Sequence, residues 1–186
     1  MSRSTTFKAL FLATAMIASG PAFAGTVIVG GQEMFPTKTI VENAVNSADH
    51  TTLVAAVKAA GLVDVLQSKG PFTVFAPVNA AFAALPAGTV DTLLKPEMKQ
   101  QLTGVLTYHV LAGRYTFNDL RSKIKKGKGE ATLKTVEGEP LMFKMNGGNN
   151  ITITDAAGGM ANITIYDVLQ SNGVIHSIDK VLLPKS

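Results

Sequence analysis

The chain has 186 residues, 17 Lys and Arg against 13 Asp and Glu for a formal net charge of +4, 46% hydrophobic residues and no cysteine. That length suits one domain with a proper core, and the missing cysteines exclude a small disulfide-dense scaffold. So mild a positive charge implies no nucleic-acid partner.

Arg3 and Lys8 flank a charged start, Ala9 to Ala18 form an apolar run too short to span a bilayer, and Ala22-Phe23-Ala24 is a small-x-small cleavage site. Residues 1–24 therefore read as a signal peptide cut before Gly25, and the charge left is 15 − 13 = +2. No later segment has the length and apolarity of a transmembrane helix. An exported domain without disulfides fits a bacterial periplasm or exterior. Residues 25–38, with Val27-Ile28-Val29, two glycines and Pro36, read as an extended lead-in.

The helical half starts at Thr39, where Thr39-x-x-Glu42 is a capping box in front of Ile40, Val41, Ala44 and Val45. A second helix, with Asp49 as its expected cap, carries Leu53, Val54, Val57 and Ala60 and stops at Gly61. Leu62 to Leu66 predict one more short turn. Gly70 to Phe82, GPFTVFAPVNAAF, then packs a strand, a proline stop and a helix start into thirteen residues. Phe72, Val74 and Ala76 alternate with Thr73 and Phe75, Pro77 ends the ladder, and Asn79 is the expected N-cap of a helix from Ala80 to Leu85. Thr89 is expected to cap a brief turn, and Pro96 opens a long helix with Met98, Leu102, Val105 and Leu106 on one side.

Past Gly113 only a last helical turn at Phe117 and Leu120 is predicted. The run Arg121, Lys123, Lys125, Lys126, Lys128, broken by Gly127 and Gly129, reads as a solvated loop. Strands at Leu133–Val136, Leu141–Met145, Ile151–Thr154 and Ile163–Tyr166 form an antiparallel meander, closed after the Asn172-Gly173 turn by Val174–Ile178 and Val181–Leu183. Helices first and strands later predict an α+β fold, with helices on one side of a mostly antiparallel sheet.

Three segments, GPFTVFAPVNAAF, LTYHVLAG (Leu106 to Gly113) and NGVIHSIDKVLLP (Asn172 to Pro184), resemble the signatures of the fasciclin domain family in order and separation. The opening GGQEMFPTKTIVENAV is similar to that of single-domain exported bacterial members. The resemblance implies a single fasciclin domain over 39–186, a wedge of sheet with a helical layer. It also implies a non-enzymatic role in cell adhesion or surface and matrix association, through protein or glycan contacts. Val78 and Ala80 depart from the polar and acidic residues the family usually places there.

By resemblance, Tyr108-His109 matches a Tyr-His motif associated with integrin binding in larger animal members, and Asp167-Val168 falls where some carry an Asp-Ile cell-binding motif. The residue-level readings differ. Tyr108 and His109 leave the end of a helix, where an imidazole and a hydroxyl can tie down a loop. An Asp between strands commonly bonds its own backbone in a turn. His50, His109 and His176 are far apart in sequence and predict no metal site, and no cofactor is expected. No nucleophile elbow, Cys nucleophile or phosphate loop supports catalysis. Arg121, Lys123, Lys125, Lys126 and Lys128 are the candidates for an acidic glycan or lipid headgroup. The alternative function is a carrier of an apolar small molecule such as a carotenoid or lipid, for which Met98, Met142, Met145 and Met160 are candidate lining residues.

Overall fold

A computed structural model describes residues 25–185, and the expected signal peptide, residues 1–24, lies outside them. The extended lead-in after Gly25 folds back on itself. Strands β1 (Val27–Val29) and β2 (Gln32–Met34) pair as an antiparallel hairpin around Gly30 and Gly31, whose φ values of 59° and 74° are left-handed. The inward Val29 and Met34 are buried, so the hairpin belongs to the core.

Helix α1 (Ile40–Ala44) starts at the expected capping box of Thr39 and Glu42. Helix α2 (Thr51–Ala60) ends at Gly61 with φ 74°, as its sequence predicts, and α3 (Val63–Gln67) follows. Strand β3 (Phe72–Pro77) leads into α4 (Asn79–Ala83), and then come α5 (Thr89–Leu93) and α6 (Lys99–Tyr108), the last entered through a 3-10 turn at Pro96–Met98.

The capping assignments are corrected in three places. Val78, not Asn79, is the N-cap of α4, and it makes no side-chain bond there. Asn79 reaches across to α2 instead. Its Oδ1 accepts from Thr52 N at 3.0 Å and from Thr51 Oγ1 at 3.2 Å, while its Nδ2 donates to the Ala48 carbonyl at 2.8 Å. Asp49 makes no cap bond to α2, whose Thr52 N–H is met by Asn79. Gly88, not Thr89, precedes α5.

The larger correction is in the basic run. Past β4 (Val110–Ala112), residues Phe117–Lys126 form a full helix, α7, not a solvated loop. Thr116 Oγ1 accepts from Asp119 N, and the Asp119 carboxylate accepts from Thr116 N at 2.9 Å, a capping box within Thr-x-x-Asp. Phe117, Leu120 and Ile124 recur at helical spacing, and Leu120 and Ile124 are buried.

Strands β5 (Glu130–Lys134), β6 (Pro140–Asn146), β7 (Asn150–Thr154), β8 (Met160–Gln170) and β9 (Gly173–Ile178) form the expected meander. Residues Val181–Leu183 form no strand. The sheet order is β4-β3-β9-β8-β7-β6-β5, with β3 parallel to β9 and the other pairs antiparallel. The fold is α+β, and the sheet carries a core on each face. Val74, Ala76, Val168 and Ile175 face the helical layer with Leu53, Leu102 and Leu106. Phe75, Phe143, Ile151, Ile153 and Ile163 face the other core, which Leu120 and Ile124 of α7 complete. Alternation in β3 thus separates two cores, so the strand is buried almost throughout.

Candidate functional site

Tyr108 ends α6 and His109 follows it, and the structure places both in the interior at 0% and 2% exposure. The Tyr108 hydroxyl donates to the Pro140 carbonyl at 3.0 Å and accepts from Ala156 N at 2.8 Å, joining the start of β6 to the β7–β8 loop. Burial pushes its phenol up to about 12. His109 Nδ1 meets the Val105 carbonyl at 2.8 Å, and Nε2 accepts from Leu182 N at 3.0 Å. Only a neutral ring with its proton on Nδ1 satisfies both partners. Burial pulls the His109 imidazole down to about 4. In this fold the pair offers no exposed contact. It fastens the C-terminal segment to α6.

Asp167 and Val168 lie within β8, not in a turn between strands. The register of β8 against β9 shifts between Ile165 and Val168, and Asp167 has φ 54°. This bulge turns the carboxylate toward α7, where Oδ1 accepts from Phe117 N at 2.7 Å. The backbone N–H of Asp167 donates to His176 Nδ1 at 3.2 Å, and His176 Nε2 donates to the Tyr115 carbonyl at 2.8 Å. Val168 is buried on the helical side. Asp167 therefore positions the start of α7, and Val168 packs.

His176 is enclosed, and its imidazole is lowered chiefly by burial. His50 is lowered for the same reason, with Ser47 Oγ 2.9 Å from its Nδ1 and Ser177 Oγ 3.3 Å from its Nε2. The three histidines serve three separate internal networks. Among the described residues no group of His, Cys, Asp or Glu is placed to hold a metal ion.

Sequence reasoning missed Asn172, reading Asn172-Gly173 only as a turn. Its Oδ1 accepts from Ile40 N at 3.0 Å, and its Nδ2 donates to the carbonyls of Leu66 at 2.8 Å and Ser68 at 2.9 Å. Its own carbonyl accepts from Phe72 N at 3.0 Å. One residue thus joins α1 and the end of α3 through its side chain and the mouth of β3 through its carbonyl. Gly173 is needed beside it, since a Cβ there would overlap the Phe72 carbonyl oxygen. The local signal was only a turn dipeptide, because its partners lie more than a hundred residues away.

The outer side of α7 is one exposed surface of distinct character. Its first turn is held by the capping box, by Asp167, and by Phe117 set edge-on to Tyr166 at 4.8 Å. Lys123 lies over the Tyr115 ring at 5.1 Å. Arg121, Lys125, Lys126 and Lys128 are exposed. The one ion pair among the described residues, Lys144 with Glu130 at 3.1 Å, involves none of these cations.

A helical layer on a mixed sheet, with its three motif segments joined by the pairing of β3 with β4 and β9, by the Asn172 carbonyl on Phe72 N and by His109 on Leu182 N, is the frame of a fasciclin domain. Residues 48–184 match the fasciclin domain, and the chain belongs to that family. It is 49% identical over 150 residues to Protein sll1483 of Synechocystis, covering 78% of this chain and 73% of that protein. It is 33% identical over 201 residues to Immunogenic protein MPB70 of Mycobacterium bovis, covering 97% of this chain and 95% of the relative. In fold it is similar to a FAS1 domain pair from the insect cell adhesion molecule fasciclin I. That match has a TM-score of 0.68 and 21% identity, over 78% of this chain and 51% of the other. Among the described residues no helix is long and apolar enough to cross a membrane.

Proposed function

We propose that the protein is an exported, non-enzymatic module for cell adhesion or surface and matrix association, acting in the periplasm or outside the cell, with the outer side of α7 as its contact face. One observation carries this reading. The polar groups of the motif segments are spent inside the fold, and among the described residues no buried side-chain nitrogen or oxygen lacks a partner. Charged side chains are exposed over much of the surface, and the densest run of cations, Arg121, Lys125, Lys126 and Lys128, sits on α7 and the turn after it. Family membership and the likeness to a cell adhesion molecule support the same function.

The carrier alternative fits the interior less well. The apolar cavity among β1, α1, α2, α3 and β3 holds about 80 Å³, and the one between α2, α4, α5 and α6 about 230 Å³. Both fall below the roughly 300–1,000 Å³ of pockets for drug-sized ligands. Met98 lines a third, open and partly polar surface hollow of about 380 Å³ with Thr89, Thr92 and Gln101, which does not enclose an apolar ligand, and Met142, Met145 and Met160 line none of the three.

The test is a binding assay of the purified protein on whole cells and on immobilised matrix components. Saturable binding that weakens in high salt is expected. Absence of saturable binding at low and physiological salt overturns the adhesion reading.

A further inference from the structure

We infer that the outer face of α7 binds a linear acidic polysaccharide, one whose carboxylate or sulfate groups repeat along the chain. This rests on the contact face proposed above and names the partner chemistry that fits it.

The first observation is how unevenly charge is distributed. Residues 121–128 carry five cations and no acid, whereas residues 25–186 as a whole sum to 15 − 13 = +2. The rest of that stretch therefore sums to 10 − 13 = −3. A molecule that is otherwise acidic concentrates its positive field on one short helix and the turn beyond it, the arrangement that draws an anionic chain to one place.

The ordinary structural reason for such a run accounts for a small part of it. Cations in the last turn of a helix offset the negative end of its dipole, which amounts to about half a charge. Lys123, Lys125 and Lys126 occupy that last turn, and Arg121 and Lys128 add to them on either side. Five cations exceed the dipole's requirement roughly tenfold. Nor are they held by acids. Asp119 is engaged in the Thr116 capping box, and Glu130 pairs with Lys144.

The geometry suits a rod-like anion. Arg121 and Lys125 are four residues apart on one flank, about 6 Å along the axis, Lys126 ends the helix beside them, and Lys128 adds an exposed cation just past the helix end. A chain with anionic groups at similar intervals can meet several cations without bending. The base is rigid, because Leu120 and Ile124 are locked in the core and the first turn is held by Asp167 and Tyr166.

Other polyanions fit less well. Stable membrane docking of a basic helix needs apolar residues to enter the lipid, yet the apolar side of α7 is buried and none of the large exposed apolar residues falls within Phe117–Lys128. A single-stranded nucleic acid would want aromatic rings to stack on, and Tyr115, the neighbouring ring, lies beneath Lys123, while a duplex is left to the test below. A protein interface is typically depleted of lysine and anchored by aromatic residues, the opposite of this face.

The test compares the purified protein with an Arg121→Ala/Lys125→Ala/Lys126→Ala variant and a control, Lys58→Ala/Lys95→Ala/Lys99→Ala. The control loses the same charge elsewhere. Probes are alginate for carboxylate, dextran sulfate for sulfate, neutral dextran, anionic phospholipid vesicles and a DNA duplex, with circular dichroism verifying that each variant is folded. Expected is saturable, salt-sensitive binding to alginate or dextran sulfate and none to dextran, weakened at least ~10-fold in the α7 variant and less than ~2-fold in the control. Which of the two polymers binds identifies the anionic group. Equal weakening in both variants, stronger binding to vesicles or DNA, or no binding to either polysaccharide at low salt overturns the inference. If the α7 variant binds alginate and dextran sulfate like the parent and the parent adheres to cells, the inference fails while adhesion itself stands. If the parent does not adhere but binds alginate through α7, adhesion fails and the polysaccharide site stands.

Discussion

Three buried neutral histidines should make this fold lose stability in mild acid, and His109 sets the scale. Its imidazole lies at about 4 in the folded chain against 6.5 when free. Burial is the main cause, and the Val105 carbonyl and the Asp155 carboxylate oppose it only in part. The unfolded chain therefore binds a proton on this ring from about pH 6.5 downward, which the folded chain refuses until about pH 4. Stability is fully present above pH 6.5 and falls as pH drops through that window. A gap of about 2.5 units at about 1.4 kcal/mol per unit gives a loss of about 3 kcal/mol from His109 alone. His50 and His176 are also lowered by burial, against the opposing pull of Asp49 and Asp167, so they add to the slope with the same sign. Against a typical domain stability of about 5–15 kcal/mol, such a loss is large. Urea unfolding at pH 7.5, 6.5, 5.5 and 4.5 should show the midpoint falling steadily below pH 6.5. Imidazole NMR should show His109 with its proton on Nδ1 and no titration while the fold persists above pH 5. A midpoint unchanged between pH 7.5 and 5, or His109 titrating above pH 6 in the folded protein, would refute the reasoning.

Asn172→Ala should cost about 3 kcal/mol or more in urea unfolding, because it leaves the Ile40 N–H and the Leu66 and Ser68 carbonyls without their partner in a largely buried site. A loss under ~1 kcal/mol would mean that water replaces the side chain. Val78→Thr, at an extended N-cap that makes no side-chain bond, should add up to about 1 kcal/mol by capping α4, read as a raised melting temperature. Asp167→Ala should raise amide exchange in the first turn of α7 well before global unfolding, since Phe117 N loses its acceptor. Unchanged protection at Phe117 would remove Asp167 from its positioning role.

What the sequence determined by itself is local or follows from periodicity. The Thr39–Glu42 capping box, the left-handed stop at Gly61, the strand through Phe72–Pro77 and the meander of β5 to β9 each arise from residues close together in the chain. Their order, with three motif segments, was enough to indicate the fasciclin family and the α+β class. Helix α7 was within reach too. Thr116-x-x-Asp119 with Phe117, Leu120 and Ile124 spells a capped amphipathic helix, and the lysines and glycines around it hid the pattern.

Tertiary structure alone decided what the polar motif residues do. A His or Asp in a motif can be a site or a fastener, and only packing chooses. Tyr108, His109 and His176 are enclosed and bonded to distant backbone, while Asp167 turns out of a bulge onto α7. Asn79 and Asn172 spend their hydrogen bonds across 27 to 132 residues of chain, a separation no local pattern encodes. Only packing, too, leaves Arg121, Lys125, Lys126 and Lys128 in water. Burying Leu120 and Ile124 fixes the rotation of the helix, and that rotation turns the cations outward.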